Sequence, residues 1–205
     1  MKKILIFTVG TLLIVSNYSC KKYLEQVPDD RLTFEQVYER KATVDQALAN
    51  VYSFFPSQNG DRFPSQQGNI GPWTAASDEA DYTLPNFSEV VNSGAWDATR
   101  GEVNYHWQQF YRGIQAASTF MANISRCTDC NIGGIDIVNR YYNEARALRA
   151  IYYYNLVRIY GPVVLLGNDP IASDAPLQAI SKPRNSMDEC VEYVVSELEA
   201  TAAAL

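Results

Sequence analysis

"NEARALRAIYYYNLVRIYGPVVLL", Asn143 to Leu166, is the stretch that decides the fold. Apolar and aromatic side chains recur every three or four residues through it and just before it, which places them on one face of a helix. The stripe consists of Val138, Tyr141, Tyr142, Ala145, Leu148, Tyr152, Leu156 and Ile159. Gly161 and Pro162 then supply a C-terminal glycine and a residue that cannot continue a helix. The pattern predicts one long amphipathic helix, followed by a short extended run to Leu166.

Three other segments of the chain show the same helical spacing. A capping-box pattern at Thr33–Gln36 opens a run of apolar residues that predicts one long helix ending before Pro56. A second stripe runs over Trp107–Ile124. A capping box at Ser186–Glu189 opens a third, which runs to the last residue without a closing glycine or proline, so we expect a domain cut short there.

Helices that each bury one stripe must pack on a neighbouring helix. We therefore predict an all-α fold of tetratricopeptide-like helix hairpins joined by long irregular loops, although the Trp, Leu-Gly and Pro signature of that repeat is not visible. The predicted helical domain covers residues 33–205.

The N-terminal residues have the pattern of an export signal. Met1, Lys2 and Lys3 precede an apolar run over residues 4–15, which is shorter than the roughly 20 residues that a membrane-spanning helix needs. Bacterial lipoprotein signals end with a small residue before an obligatory cysteine, and Ser19-Cys20 fits that arrangement. We predict a signal peptide over residues 1–19, a lipid anchor on Cys20 and a tether over residues 20–32. Ordinary secretion, with Cys20 buried or paired, is the alternative.

The composition excludes some classes of protein and leaves others open. Hydrophobic residues make up 47% of the chain and charged residues 20%, which argues against a fully disordered chain and against a polytopic membrane protein. A net charge of -6 argues against a nucleic-acid partner, because phosphates demand a basic surface. The aromatic content of 12% suits a protein core and a sugar-stacking surface equally well.

A glycine- and proline-punctuated segment over residues 57–101 is the predicted ligand region. Loops longer than about 15 residues are typically functional or contain short elements that the pattern does not show. Trp73 and Trp96 could stack on pyranose rings, and Tyr82 and Asn86 could reach sugar hydroxyls. Burial in the core competes with stacking for both tryptophans, and Tyr82 and Asn86 are also ordinary loop residues.

The cysteines after residue 20 offer no clear redox or metal chemistry. Cys127 and Cys130 follow a predicted helix, whereas a redox pair opens one, so we predict a local disulfide or two inert thiols. A metal site would need two further ligands, which the sequence does not show, and no cofactor is predicted. Cys190 falls one position off the apolar stripe and is expected to be partly buried.

Catalytic residues find little support in the sequence. His106 is the only histidine, so neither a Ser-His-Asp triad nor a zinc cluster can be built, and we expect a structural role at the start of a helix. Asp78, Glu79 and Asp81 could act as acid and base or bind calcium, but capping or loop-pinning roles are favoured, since sequence neighbours seldom flank a cleft.

Three arginines on the third predicted helix invite a functional interpretation. Arg146, Arg149 and Arg158 could grip a carboxylate or a phosphate. Their spacing of three and then nine residues does not converge on one ligand. Pinning of neighbouring loops or acidic residues is therefore the favoured role.

Five blocks of the chain carry a resemblance to a known family. They are "CKKYLEQVPDDRLTFEQVY" at Cys20–Tyr38, "ASDEA" at Ala76–Ala80, "WQQFYRGIQAASTFMANI" at Trp107–Ile124, "NEARALRAIYYYNLVRIYGPVVLL" at Asn143–Leu166 and "RNSMDECVEYVVSELEATAAAL" at Arg184–Leu205. These blocks resemble, in the same order, blocks of the SusD/RagB family of lipoproteins. The most specific is the Glu-Ala-Arg-x-Leu-Arg-Ala motif with the aromatics, Leu-Val-Arg and Gly-Pro that follow it.

The resemblance implies a lipid-anchored outer-membrane protein, exposed at the cell surface, that binds oligosaccharides or other nutrients. It would deliver them to a TonB-dependent, SusC-like transporter, and it implies the N-terminal part of a longer fold. The chain departs from the family at Lys21 and Lys22, where acidic residues often follow the cysteine, and at Ser118, where asparagine is usual. The alternatives are a scaffold of the transporter complex without its own ligand site and, less favoured, a glycosidase.

Overall fold

The computed structural model describes residues 32–55, 77–78, 87–95, 97–99, 101–131, 133–172, 174–176, 178 and 181–205. The chain divides into two compact units, residues 1–35 and residues 36–205, and the hydrophobic core lies in the second. Within the described ranges the elements are helical and no strand is present. The helices are α1 (Phe34–Val37), α2 (Lys41–Tyr52), α3 (Phe87–Asn92), α4 (Gly101–Asn123), α5 (Ile137–Tyr160) and α6 (Met187–Ala202), with a 3-10 turn at Ile124–Arg126 after α4.

Helix α5 lies at the centre of the helical stack. Helices α4 and α6 pack on it, and α2 packs against both α4 and α5. Most of the predicted stripe of α5 faces the core, where Tyr152 and Leu156 are fully buried, but Tyr142 is exposed, so its inclusion in the stripe is wrong. Gly161 ends the helix with a positive φ of 69°, as its position after the stripe predicts. The predicted all-α architecture is confirmed.

A glycine in the middle of α4 lets three elements come close together. A Cβ atom on Gly113 would lie 2.8 Å from the Tyr152 ring and 2.9 Å from the Cβ of Phe54. The hydroxyl of Tyr152 passes this point and donates a hydrogen bond of 2.6 Å to the carbonyl of Val51, near the end of α2. Gly113 therefore sets the packing distance between α4 and the end of α2.

The prediction of one long helix before Pro56 is wrong, because the chain breaks between α1 and α2. Tyr38 is buried against the ring of Phe120, and Arg40 is extended, with φ -125° and ψ 143°. The carbonyl of Glu39 then accepts hydrogen bonds from the backbone and the side chain of Thr128 instead of continuing a helical ladder. A residue from another part of the chain thus satisfies the backbone carbonyl at the break. The spacing of apolar residues alone does not show such a partner.

The last helix begins as predicted and ends slightly earlier. The side chain of Ser186 accepts from the backbone of Glu189 and the Glu189 carboxylate accepts from the backbone of Ser186, which confirms the capping box. The helix ends at Ala202, not at the last residue, and the N–H groups of Ala204 and Leu205 both donate to the carbonyl of Thr201. None of the helices in the described ranges combines the length and the hydropathy that a membrane span requires.

Candidate functional site

The residues predicted to bind glycan lie outside the described residues. Trp73, Tyr82, Asn86 and Trp96 all fall there, as do Cys20, Glu79 and Asp81. Their roles remain predictions. The structure describes the helical stack, and side chains hold two irregular segments of that stack in place.

The first fixed segment follows α5 and covers residues 163–171, here called the pinned segment. The hydroxyl of Tyr111 on α4 donates to the carbonyl of Val164 at 2.9 Å and accepts from the N–H of Val164 at 3.1 Å. The hydroxyl of Tyr153 on α5 accepts from the N–H of Leu166 at 3.0 Å. Two tyrosines from different helices thus replace the ladder that a neighbouring strand would provide.

Amide side chains pin both ends of the same segment. Gln115 on α4 donates to the carbonyl of Ile171 at 2.8 Å and accepts from its N–H at 3.0 Å. At the other end the backbone of Asn185 donates to the carbonyl of Val163, and its side chain accepts from the N–H of Leu165 at 2.9 Å. The backbone path of the pinned segment is therefore set by side chains of the helical stack and of the residue before the α6 cap.

Burial keeps the two pinning tyrosines protonated. Burial raises the pKa of Tyr111 to about 12 and that of Tyr153 to about 12, although hydrogen bonds to the backbone act in the opposite direction. Both hydroxyls consequently remain protonated through the physiological pH range. Their hydrogen bonds to the pinned segment do not depend on pH there.

A buried arginine joins the pinned segment to α4 and α6. Arg149 is only 1% exposed, and its guanidinium donates to the Ser118 hydroxyl at 3.2 Å, to the Asn168 side-chain oxygen at 2.9 Å and to Glu197 at 3.0 Å. Arg146 donates to the same Glu197 carboxylate through two nitrogens, at 2.6 and 3.0 Å. A buried charge is tolerable only with such compensation.

The Glu197 carboxylate is held ionised by its two arginine partners. Partial burial alone would raise the pKa of Glu197, but the hydrogen bonds from Arg146 and Arg149 hold the pKa below its ordinary value. The favoured role of these two arginines, pinning a loop and an acidic residue, is what the structure shows. They do converge on one carboxylate, contrary to the expectation from their spacing, while Arg158 bonds to Asn155 on its own helix.

Arg149 could have been recognised as an inward-facing residue from the sequence. It lies four residues after Ala145 and three before Tyr152, both of which belong to the predicted stripe. Ser118, where the resembling family usually has asparagine, is buried at 3% exposure and accepts from Arg149. The identity of Glu197 and Asn168 as partners required the packing of α6 and the path of the pinned segment.

The second fixed segment is the turn Cys127–Cys130, here called the disulfide turn. Its two sulfur atoms are bonded to each other. Asp129 accepts from the N–H of Lys41 at 2.6 Å, so the turn caps the N-terminus of α2 from another part of the chain. Thr128 meanwhile binds the Glu39 carbonyl in the break before α2.

The same turn contains the one cluster of metal-ligand types found among the described residues. The ligand atoms of Cys127, Asp129 and Cys130 lie within 4.8 Å of one another. Both sulfurs are engaged in the disulfide, and the Asp129 carboxylate caps α2. The geometry therefore supports a structural turn.

The remaining candidates take structural positions. His106 is buried near the start of α4, with its ring 5.8 Å from that of Phe110. Cys190 is fully buried, so the expectation of partial burial is wrong, because α6 turns this position toward the carbonyl of Val163. Asp78 is exposed. Trp107 is half-buried, and its indole ring contacts the ring of Tyr160 and the guanidinium of Arg184.

Taken together, the described residues form a helical framework in which hydrogen bonds from side chains hold two irregular segments in place. The fold defines an all-α protein of stacked, tetratricopeptide-like helices.

Comparisons with known proteins identify the family. A profile of SusD-like proteins, described as "Starch-binding associating with outer membrane", matches residues 22–205. SusD-like protein P38 of Formosa agariphila is 25% identical over 204 residues, covering 97% of this chain and 37% of the relative. A SusD-like protein of Bacteroides ovatus is 22% identical over 198 residues, covering 97% of this chain and 34% of the relative.

Solved structures show the same fold. A SusD-like protein from Bacteroides fragilis superposes with a TM-score of 0.67 at 19% identity, covering 88% of this chain and 32% of that one. A structure described as "Laminarin binding SusD-like protein" gives a TM-score of 0.65 at 18% identity, covering 82% of this chain and 35% of that one.

The chain belongs to the SusD-like family. Its fold is the all-α, tetratricopeptide-like arrangement of that family. The chain spans about a third of the length of the curated relatives it matches, with coverage of 37%, 36% and 34%.

Proposed function

We propose that this protein takes part in nutrient capture at the outer membrane: it binds an oligosaccharide or another nutrient and passes it to a TonB-dependent transporter. The observation that carries the proposal is the family match over residues 22–205. The laminarin-binding neighbour supports a glycan as the class of ligand. Capture and release are the task, without conversion of the ligand.

The framework geometry supports binding over turnover. Four side chains of the helical stack and one from the loop before α6 fix the path of the pinned segment through hydrogen bonds: Tyr111, Gln115, Arg149, Tyr153 and Asn185. A loop held in this way presents its surface at little entropic cost when a ligand binds. Catalysis would in addition need a positioned acid or nucleophile, and two of the three carboxylates that the sequence offers, Glu79 and Asp81, lie outside the described residues.

The proposed ligand contacts are the four residues singled out in the sequence. Trp96 and Trp73 would stack on the apolar faces of sugar rings, and Tyr82 and Asn86 would hydrogen-bond to hydroxyl groups. Stacked rings of this kind recognise many glycans, so the ligand class is proposed and the individual sugar is open to experiment.

Calorimetric titration of the full-length protein in detergent with laminarin and with soluble starch tests the proposal. We expect reversible binding of at least one of them and a loss of about tenfold or more in affinity for Trp96→Ala, since stacking of an aromatic ring contributes on the order of 1–2 kcal/mol. Tyr154→Ala is the matched control, because Tyr154 is an aromatic that is 51% exposed on α5. Equal losses in both variants would remove Trp96 from the site.

The proposed location depends on Cys20. Cleavage after residue 19 would leave Cys20 as a lipid-modified N-terminus, followed by the tether over residues 20–32. Metabolic labelling with a fatty-acid analogue should mark the wild type and leave Cys20→Ala unlabelled. Protease treatment of intact cells should then digest the protein if it faces the outside, and spare it if it faces the periplasm.

The transporter interaction distinguishes the proposal from its alternatives. A tagged full-length protein should co-purify with a TonB-dependent transporter and also bind glycan. Co-purification without binding of any glycan would favour a scaffold of the transporter complex. Release of free sugar from a bound glycan would favour a glycosidase, with Asp78 and Glu79 as the first residues to replace.

A further inference from the structure

Two buried polar atoms lie where α5 and α6 pack together. They are the Nε of Arg149 and the hydroxyl oxygen of Tyr193, and neither has a hydrogen-bond partner in the part of the chain that the structure describes. Most buried polar atoms in folded proteins are paired, because an unpaired one gives up its hydration and receives nothing in return. The two atoms therefore need an explanation.

Arg149 has one N–H donor more than its protein partners use. A guanidinium carries five N–H donors, and four hydrogen bonds leave from the two terminal nitrogens. They end on the Ser118 hydroxyl, on the carbonyl and the side-chain oxygen of Asn168, and on Glu197. Because the side chain is only 1% exposed, bulk solvent does not reach the fifth donor, the Nε–H group.

The geometry of the guanidinium turns this donor toward α6. In an arginine side chain the Nε–H bond lies on the same edge of the planar group as Nη2. Nη2 donates to Glu197 at 3.0 Å, so the Nε–H group faces the same carboxylate. Three hydrogen bonds from Arg146 and Arg149 end on that carboxylate, which has roughly four lone-pair sites. Glu197 can therefore accept one further donor on this edge.

Tyr193 brings its hydroxyl to the same place. It precedes Glu197 by one turn of α6, and its ring lies 5.1 Å from that of Tyr153, which follows Arg149 by one turn of α5. Burial raises the pKa of Tyr193 to about 12, while the positive charge of Arg149 acts in the opposite direction. The hydroxyl is thus protonated and within electrostatic reach of the guanidinium.

The chemistry of these groups selects the molecule that would satisfy them. Arg149 would repel a cation, and the Glu197 carboxylate would repel an anion. A neutral molecule that accepts from the Nε–H group and from the Tyr193 hydroxyl, and that donates to Glu197, satisfies every group at once. Water has this capacity, and buried waters typically make about three such hydrogen bonds.

We propose that one buried water molecule bridges Arg149 on α5 to Tyr193 and Glu197 on α6. The water completes the network that also holds Asn168, so it joins the packing of α6 to the fixed path of the pinned segment. The site lies between two helices of the stack and takes no part in glycan recognition. Its test is therefore independent of the proposed function.

A crystal structure of the full-length protein in detergent, at a resolution that shows ordered waters, tests the site directly. We expect electron density for one water within about 3.2 Å of both the Arg149 Nε and the Tyr193 hydroxyl oxygen. A direct hydrogen bond between these two atoms would overturn the proposal. So would another protein side chain between them, or the lack of any density there.

The change Tyr193→Phe gives a second test, because the sign of its effect depends on the water. If the water is present, the variant loses a hydrogen-bond partner, and the equilibrium constant for unfolding in urea should rise about fivefold. The bridging density should also weaken in crystals of the variant. If the hydroxyl is unpaired instead, its removal would leave the constant unchanged or lower it, since an unpaired buried polar group destabilises the fold. Either of these last results would contradict the proposal.

Tyr142→Phe is the matched control. It removes the same hydroxyl group from a ring on α5 that is 37% exposed, so the unfolding constant should change by less than about twofold. Circular dichroism should show the same helix content in both variants. An equal rise of the unfolding constant in the two variants would show that the effect of Tyr193→Phe does not come from the buried site, and would also overturn the proposal.

Discussion

The disulfide turn and the pinned segment are both irregular, and both are fixed to the same helical stack, but by different means. The turn is closed by one covalent bond, and its polar groups form hydrogen bonds with another part of the chain. Asp129 caps α2, and Thr128 donates to the Glu39 carbonyl in the break before α2. The pinned segment has no disulfide, and its backbone is hydrogen-bonded by side chains of α4, α5 and Asn185.

The difference concerns where the stabilisation is concentrated. A disulfide that closes four residues restricts only a small part of the unfolded chain, so its effect is modest and local. The pinned segment depends on a buried arginine with four hydrogen bonds, and removing a buried charge partner is among the costlier changes a protein can suffer. We therefore expect the network around Arg149 to matter more for stability than the disulfide.

The largest expected effect is that of Arg149→Met. The change should lower the free energy of unfolding by about 3–5 kcal/mol, because it leaves Glu197 with one partner and Asn168 and Ser118 without their donor. Urea unfolding followed by circular dichroism measures it. Arg140→Met is the matched control, since that arginine is 68% exposed in its pair with Glu144, and we expect a change within about 0.5 kcal/mol. Equal effects would show that burial of the network is not what stabilises the segment.

The disulfide is expected to contribute less. Replacing both Cys127 and Cys130 by serine should cost about 2 kcal/mol, as chain entropy predicts for so short a loop. Hydrogen exchange should accelerate at the amides of Lys41 and Thr128, whose partners the turn organises. Asp129→Ala retains the disulfide and removes only the cap, so it should cost about 1 kcal/mol. A larger loss for Asp129→Ala than for the double serine variant would reverse this ranking.

A single hydroxyl of the pinned segment should have a smaller effect again. Tyr111→Phe removes the donor and the acceptor that pair with Val164, and we expect a loss of about 1 kcal/mol or slightly more. Exchange of the Val164 amide should become faster while the amides of α5 stay protected. Tyr105→Phe is the control, because Tyr105 is 42% exposed, and it should be neutral. An unchanged Val164 amide in Tyr111→Phe would contradict the pinning role.

The smallest effect is expected from acid. The pKa of Glu197 is lower in the folded protein than its ordinary value of 4.5, so its contribution to stability is complete above that value and is lost as pH falls below it. Unfolding in urea at neutral pH and near pH 4 should show a steeper acid loss for the wild type than for Glu197→Gln. Glu189 and Asp45 also have lowered pKa values, which is why the comparison uses the difference between the two proteins. Parallel curves would contradict the assignment.

The long helices could be predicted because their apolar spacing and their caps are local. Gly161 ends α5 and the Ser186 box opens α6 where the sequence places them. The break between α1 and α2 could not be predicted, because Thr128 and Asp129 satisfy it from almost 90 residues away. Capping from a distance leaves no periodic signal.

The network around Arg149 could be predicted only in part from the sequence. The predicted stripe places Arg149 on the inward face of the helix. For Arg146 and Arg149 the sequence favours pinning of loops or acidic residues over ligand binding, and the structure shows the pinning role. Their shared partner Glu197 depends on how α6 packs, which spacing does not determine. The glycan contacts at Trp73 and Trp96 lie outside the described residues and stay predictions.

Native affinity electrophoresis of the full-length protein in detergent, through gels that contain laminarin or starch, tests the central claim most directly when each lane is also assayed for released sugars. The account predicts that at least one polysaccharide retards the protein and that no free sugar appears. Retardation together with sugar release would contradict a pure capture role and favour an enzyme. Unretarded migration in every gel would contradict binding of these glycans by this chain and would move the search to other nutrients.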